Sequence, residues 1–387
     1  MSDFKVNKTI EQINKKIAAG KAVVMTAEEI IDIARQDGVV EAAKKVDVVT
    51  TGTFAPMCSS GAFINIGQSK PVVRTTHTLF NNVQAYSGLA AVDCYLGATQ
   101  IIEGDPLNSR HPGEFNYGGG HVIQDLVAGK TIQIKAQSYG TDCYPNRTIE
   151  KMVTLKDLPY AMLCNPRNAY QNYNCAINRS DKIKYTYMGT LKPDMGNANY
   201  CSAGELSPLL NDPYLKTIGV GTRIFLGGAQ GYVTWTGTQH KSEVSRGLNG
   251  VPLAPSGTLS VQGDLKQMSP EWLVGQSIRG YGVSLSIGFG IPIPILNEEV
   301  LKYASVSDEE LFTQIVDYGY DYPNAVSKSY GQVSYKELKS GSITIKGKKV
   351  PTVPLSSMVK ARKVAELLKK SIQKSKFFLT QPVHMFK

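Results

Sequence analysis

The chain has 387 residues, 42% hydrophobic and 19% charged, a balance that excludes a disordered polypeptide and leaves enough apolar side chains for a large core. No apolar run approaches the roughly 20 residues that cross a bilayer. Met1-Ser2-Asp3-Phe4-Lys5 lacks a signal-peptide core, so a cytosolic protein is expected.

In chain order, Thr9-Ile10-Glu11-Gln12 predicts a capping box opening a short helix with Ile10, Ile13 and Ile17 on one face, closed at Gly20. Thr26-Ala27-Glu28-Glu29 opens a second helix, with Ile30, Ile31 and Ala34 inward, that ends near Gly38. Val46 to Thr51 is a β-branched strand halted by Gly52. A loop of small residues follows it, Thr53 to Phe63, around Cys58. Helix is expected again from His121 to Val127, after Gly118-Gly119-Gly120. Alternation predicts strands from Thr131 to Ser138 and from Thr148 to Leu155, with Cys143 on the turn between them.

Asn165 to Asn174 is crowded with amides and tyrosines, each amide demanding partners if buried. Thr222 to Leu226 and Tyr232 to Thr236 read as strands around a glycine turn, and Tyr281 to Leu296 as a buried strand. Ser356 or Ser357 caps a last helix whose Met358, Ala361, Ala365, Leu368 and Ile372 form an apolar stripe. The fold class expected is α/β: mixed sheets with glycine-rich strand-end loops, short N-terminal helices and an amphipathic C-terminal helix. Residues 1–387 are expected to form one catalytic unit, a division into two lobes (about 1–205 and 206–387) being left open.

The formal charge of +10 is uneven. From Asn324 onward fourteen Lys and Arg face only Glu337 and Glu366, so this segment carries +12. No nucleic-acid motif accompanies it, so an acidic protein partner or a plain solvated face is expected, and no membrane contact.

Six cysteines stand at 58, 94, 143, 164, 175 and 201 with no Cys-x-x-Cys, and His77, His111, His121 and His240 show no ligand spacing, so no metal is expected from a local motif. A working thiol needs access and a stabilised thiolate. For Cys143, Arg147 favours that and Asp142 opposes it; for Cys58, the Ser-Ser-Gly run can offer backbone N–H groups. Both also read as incidental turn cysteines, and Cys94, Cys164, Cys175 and Cys201 read as packing residues. Arg167 among the amides is a candidate carboxylate fork. The glycine triplet before His121 fits neither a Walker motif nor a dinucleotide fingerprint.

Longer strings carry a resemblance. Val48-Val49-Thr50-Thr51-Gly52-Thr53-Phe54 with Met57-Cys58-Ser59-Ser60-Gly61-Ala62-Phe63, Tyr139-Gly140-Thr141-Asp142-Cys143-Tyr144-Pro145, Asn165 to Cys175, Gly221 to Gly228 and Gly263 to Glu271 resemble the homocysteine-biosynthesis family, the L-aspartate semialdehyde sulfurtransferases. The resemblance covers essentially the whole chain. It implies conversion of L-aspartate semialdehyde to L-homocysteine with sulfide-derived sulfur and two electrons, and matches the family's two motif cysteines to Cys58 and Cys143. On that basis Cys143 is expected to carry a persulfide and Cys58 to resolve or relay it. Arg167 with Asn168 or Asn172 is expected to hold the amino-acid end of the substrate.

The resemblance further implies no cofactor bound by an evident motif, and electrons from a ferredoxin-type iron–sulfur protein, usually acidic, that the basic C-terminal segment would dock. The CBS modules of many archaeal members have no counterpart here, so regulation by that route is not expected; a homo-oligomer stays open. Two other readings remain beside this one: a non-catalytic persulfide carrier or scaffold, and an iron–sulfur protein with ligands drawn from distant cysteines such as Cys58 and Cys143.

Overall fold

Thr9 caps the first helix, Ile10–Ala18, through the full capping box with Gln12, and Ile10, Ile13 and Ile17 are buried. These contacts come from a computed structural model that describes residues 4–168, 171–324 and 329–386; positions 169 and 170 of the amide-rich run lie outside it. The second helix, Glu29–Asp37, stops at Gly38 (φ 81°), and a third, Val39–Lys45, follows at once. That third helix escaped the sequence reading because seven residues give barely two turns of periodicity.

Most of the chain is built on one large sheet of thirteen strands. In chain order they are β1 Thr53–Pro56, β2 Gly61–Asn65, β3 His77–Phe80, β4 Val83–Ser87, β5 Asp93–Gly97, β6 Ile132–Gln137, β7 Thr148–Val153, β8 Tyr160–Asn168, β9 Arg223–Leu226, β10 Ala229–Thr236, β11 Leu259–Asp264, β12 Leu273–Ile278 and β13 Gly282–Gly290. The order across the sheet is β12-β13-β9-β10-β11-β8-β2-β5-β4-β3-β6-β7, and β1 also pairs with β13. Every pairing is antiparallel.

The strands come from both sides of residue 205: β1 to β8 before it, β9 to β13 after it. The alternation read in β6 is real, with Ile132, Ile134 and Ala136 buried. β13 has no alternation because all nine of its residues are buried. Gly227 and Gly228 (φ 60° and 94°) make the two-residue hairpin between β9 and β10.

Four smaller sheets accompany it among the described residues, and two of them have more than two strands. One joins Val24–Thr26, Val48–Thr50 and Pro292–Pro294. The other is six-stranded and mixed, with Cys175–Ile177, Ala198–Tyr200 and Phe312–Asp317 at its centre. The architecture is mixed α/β, as expected. Among the described residues no helix is long and apolar enough to cross a membrane.

The C-terminal helix, Met358–Gln373, is capped by Ser357 and buries Ala361, Ala365, Leu368 and Ile372. It lies so close to the start of β1 that a Cβ on Gly52 would sit 2.2 Å from Ala361 O and 2.9 Å from Ala365 N. Gly52→Ala is therefore expected to lower the unfolding free energy by about 1–3 kcal/mol, since backbone cannot step aside as a side chain can. Chemical denaturation of the variant measures it, and an unchanged midpoint would show that the helix yields.

The glycine triplet has a similar use. The helix Gly119–Val127 rests on bare backbone, and a Cβ on Gly119 or Gly120 would meet Gly97 O or Ser284 O at 1.8 and 2.1 Å. The Gly119 and Gly120 amides already donate to Gln100 O and Ala98 O.

Candidate active site

The segment around Cys58 is not a loose strand-end loop but a tight turn between β1 and β2. Ser60 N donates to Met57 O (2.9 Å), which places Cys58 at the first corner. β1 is held on β13 in the register Pro56↔Ser286 and Thr53↔Phe289. Carried on by two residues, that register sets Ser284 opposite Cys58, and Ser284 Oγ donates to Cys58 Sγ at 3.2 Å.

Tyr281 reaches the same sulfur from the β12–β13 hairpin. Its amide closes the turn on Ile278 O (3.0 Å), and Gly280 (φ 70°) and Gly282 (φ 144°) flank it. Its phenol shares the cavity wall with Cys58 and is pushed up by burial first, then by the charge and hydrogen-bonding of the thiol beside it.

Arg167 arrives from β8, the strand paired with β2. The pairing of β8 with β11 slips between Asn165 and Asn168, a bulge at Pro166-Arg167, where the missing proline N–H costs the ladder least. Arg167 Nε donates to Ser59 Oγ at 3.2 Å, and one terminal nitrogen donates to Gln239. Its other N–H groups have no protein partner among the described residues.

These residues line a cavity of ≈ 380 Å³. Arg167 is the one charged side chain among the described residues of its wall. The remainder is Thr, Ser, amide, Tyr and apolar groups. Two wall residues carry buried polar atoms without a partner among the described residues: Thr53 Oγ1 and Asn168 Nδ2. Such groups are costly unless something fills their hydrogen bonds, so they mark where a polar ligand is wanted. Tyr173 and Tyr187 form another side. Their hydroxyls bond to each other, and Tyr187 also bonds to Tyr318 (2.9 Å); burial pushes all three phenols up.

The expected site residues are thus only partly brought together. Cys58, Arg167 and Asn168 share the cavity. Asn172 does not line it: its Nδ2 donates to Pro252 O and Phe312 O, and its Oδ1 accepts from Tyr335. Gln171 likewise ties Leu209 O and Pro213 O, so this part of the amide-rich run pins loops.

Cys143 is exposed in the β6–β7 connection and is not among the wall residues. From β2 to β6 the order runs through β5, β4 and β3, roughly 19 Å along the sheet at about 4.8 Å per strand. It also leaves the opposite end: Cys58 precedes Gly61, whereas the Cys143 turn follows Gln137, which lies in the row of His77, Tyr86, Tyr95 and Phe63, and runs on toward the Asn65 end of β2.

The other thiols differ among themselves. Cys94 and Cys175 are buried in the core and pushed up to about 12 by desolvation, and Cys164 is raised by the same cause. Cys201, read as a packing residue, lines the cavity; burial pushes its thiol to about 12. Among the described residues no three His, Cys, Asp or Glu come together as a metal site.

Comparison with known proteins gives this geometry a family. The model of the family described as "Homocysteine biosynthesis enzyme, sulfur-incorporation" matches residues 22–379. The L-aspartate semialdehyde sulfurtransferase of Methanosarcina acetivorans is 50% identical over 381 residues, 98% of this chain and 72% of its own length. That of Methanocaldococcus jannaschii is 46% identical over 391 residues, 98% of this chain and 73% of its own. An uncharacterized protein of Methanothermobacter thermautotrophicus is 27% identical over 350 residues, 88% of this chain and 74% of its own. No solved structure gives a significant match. With the family model spanning most of its length and two relatives near half identity, this chain belongs to the sulfur-incorporating homocysteine-biosynthesis enzymes.

Proposed function

We propose that this enzyme converts L-aspartate semialdehyde to L-homocysteine, with Cys58 as the thiol that meets the aldehyde. The observation that carries the reading is the cavity itself, which joins a thiol, a single cation and unpartnered polar groups in one small space. The two sulfurtransferase relatives supply the substrate.

Arg167 suits the substrate carboxylate as a fork. Among the described residues the wall holds no acidic side chain, so neutral oxygens such as Thr53 Oγ1 receive the ammonium group. By atom balance, the aldehyde plus hydrogen sulfide, two electrons and two protons gives the thiol plus water. When the sulfur is carried as a persulfide, it is already zero-valent, and its release as a thiol takes two electrons more.

A persulfide on Cys58, formed when the thiolate attacks the zero-valent sulfur of an outside sulfane donor and the rest of the donor leaves as its reduced form, places its terminal sulfur in the cavity beside the bound aldehyde. This assignment differs from the expectation that Cys143 carries the persulfide: an exposed turn far along the sheet suits uptake from an outside donor better than attack on a substrate held at Arg167. The test is homocysteine formation by the purified enzyme from L-aspartate semialdehyde, sulfide and a two-electron reductant under anaerobic conditions. Absence of product with every reductant tried counts against the reading.

The electron donor is proposed to be an acidic ferredoxin-type protein docking on the C-terminal helix. Not every lysine there is available. Arg362 and Lys369 are paired with Glu28 and Glu29, and Lys360 lies 4.2 Å over the Phe54 ring. Lys363, Lys370, Lys374 and Lys376 are exposed, with no ion pair among the described residues. Reversing these four to glutamate is expected to raise the KM for an acidic donor at least about tenfold and flatten its salt dependence, leaving turnover with a small chemical reductant intact. Unaltered donor kinetics would remove the helix as the docking face.

A further inference from the structure

Two hydroxyls from one strand and its leading turn converge on a single sulfur. Ser284 Oγ donates to Cys58 Sγ at 3.2 Å, and the Tyr281 phenol stands beside the same sulfur in the cavity wall. Neither contact is a by-product of core packing. Tyr281 sits between two glycines at positive φ, and a Cβ on Gly280 would come within 2.4 Å of Tyr185 Cβ, so this turn is built to bring one aromatic side chain over the cavity. Ser284 lies in a fully buried strand, where a hydroxyl needs a partner, and the partner it has is the thiol.

We infer that Tyr281 is a further catalytic residue, which together with Ser284 forms a hydroxyl cradle that holds the Cys58 sulfur in its anionic form, the thiolate. The inference rests on Cys58 being the working thiol. A sulfur anion in a largely apolar cavity loses most of its hydration, and donors fixed in place beforehand replace that water without reorganising. The charged and titratable groups around the sulfur agree with this role. Among the described residues of the wall Arg167 from β8 is the one cation and none is a carboxylate, and Tyr173, Tyr187 and Cys201 are protonated at neutral pH because burial raises them. Tyr281 is raised as well, by burial first and then by the sulfur beside it, so its hydroxyl is a proton-bearing donor at neutral pH.

The test reads Cys58 itself and needs no substrate. The rate of iodoacetamide alkylation, followed on the Cys58 peptide by mass spectrometry, is measured against pH in the full-length enzyme. Tyr281→Phe is expected to move the midpoint up by about one unit and slow alkylation at neutral pH roughly tenfold, and Ser284→Ala to act in the same direction. Tyr318→Phe removes a buried phenol of the same cluster that does not touch the sulfur, and is expected to leave the midpoint in place. An unchanged midpoint in Tyr281→Phe, an equal shift in Tyr318→Phe, or a Cys58 unreactive in the parent enzyme overturns the inference. Failure of homocysteine synthesis with a shifted midpoint would instead count against the substrate, and the cradle would stand.

Discussion

Cys58→Ser is expected to lower homocysteine formation at least about a thousandfold, the range typical for loss of a covalent catalyst, whereas Cys143→Ser retains most of the activity when free sulfide is the sulfur source. The asymmetry follows from placement. Serine keeps the shape of the turn and can still accept from Ser284, so the fold and cavity should survive. What is lost is the sulfur that Ser284 holds at the cavity wall; Cys201, a second wall thiol, is pushed up to about 12 by burial and does not replace it. Cys143 stands at the far end of the sheet, and its removal changes nothing within the cavity. The check is the rate with saturating semialdehyde, sulfide and a chemical reductant, together with circular dichroism for folding. Equal losses in both variants would mean that sulfur must pass through the exposed turn before reaching the cavity.

Arg167→Ala is expected to lower kcat/KM by about a hundredfold, or about 2.7 kcal/mol of transition-state binding, the scale of two charge-assisted hydrogen bonds. The effect should exceed that of an ordinary surface arginine because no second cation among the described residues of the wall can take over its role. Lysine restores charge but not the planar fork, so Arg167→Lys should recover only part of the loss. The alanine change also releases Ser59 and Gln239. For that reason the informative comparison is between the natural substrate and an aldehyde of equal length without the carboxylate. Arg167→Ala should penalise the first far more than the second, and equal penalties would make Arg167 a structural tie of the turn.

Much of the scaffold was legible in the sequence because it rests on local signals. Thr9 with Gln12, the Ile10-Ile13-Ile17 stripe, the alternation of β6 and the serine-capped C-terminal helix each carry their evidence within a few residues. What could not be read is what long-range pairing decides. The partnership of Cys58 with Ser284 spans 226 residues and exists because β1 is registered on β13. In the sequence Ser284 is only a small residue in an apolar run, and Thr53 only the beginning of a loop. Tyr281 had a local signal that went unused: an aromatic residue between two glycines at the end of a strand marks a hairpin corner.

The two motif cysteines illustrate the same boundary. Resemblance pointed to both, but only the sheet order and register show that they stand four strands apart and at opposite strand ends. Asn172 and Asn168 stand four residues apart in one polar run; one is tied to backbone carbonyls and the other ends at the cavity with an open donor. Composition alone has no means of separating them.

The most direct test of the account locates the sulfur. The enzyme is loaded with a sulfane donor under anaerobic conditions, alkylated and mapped by peptide mass before and after addition of L-aspartate semialdehyde and reductant. The account predicts one added sulfur atom on the Cys58 peptide, lost in step with the appearance of homocysteine. Added sulfur confined to the Cys143 peptide, with Cys58→Ser still turning over, would contradict it.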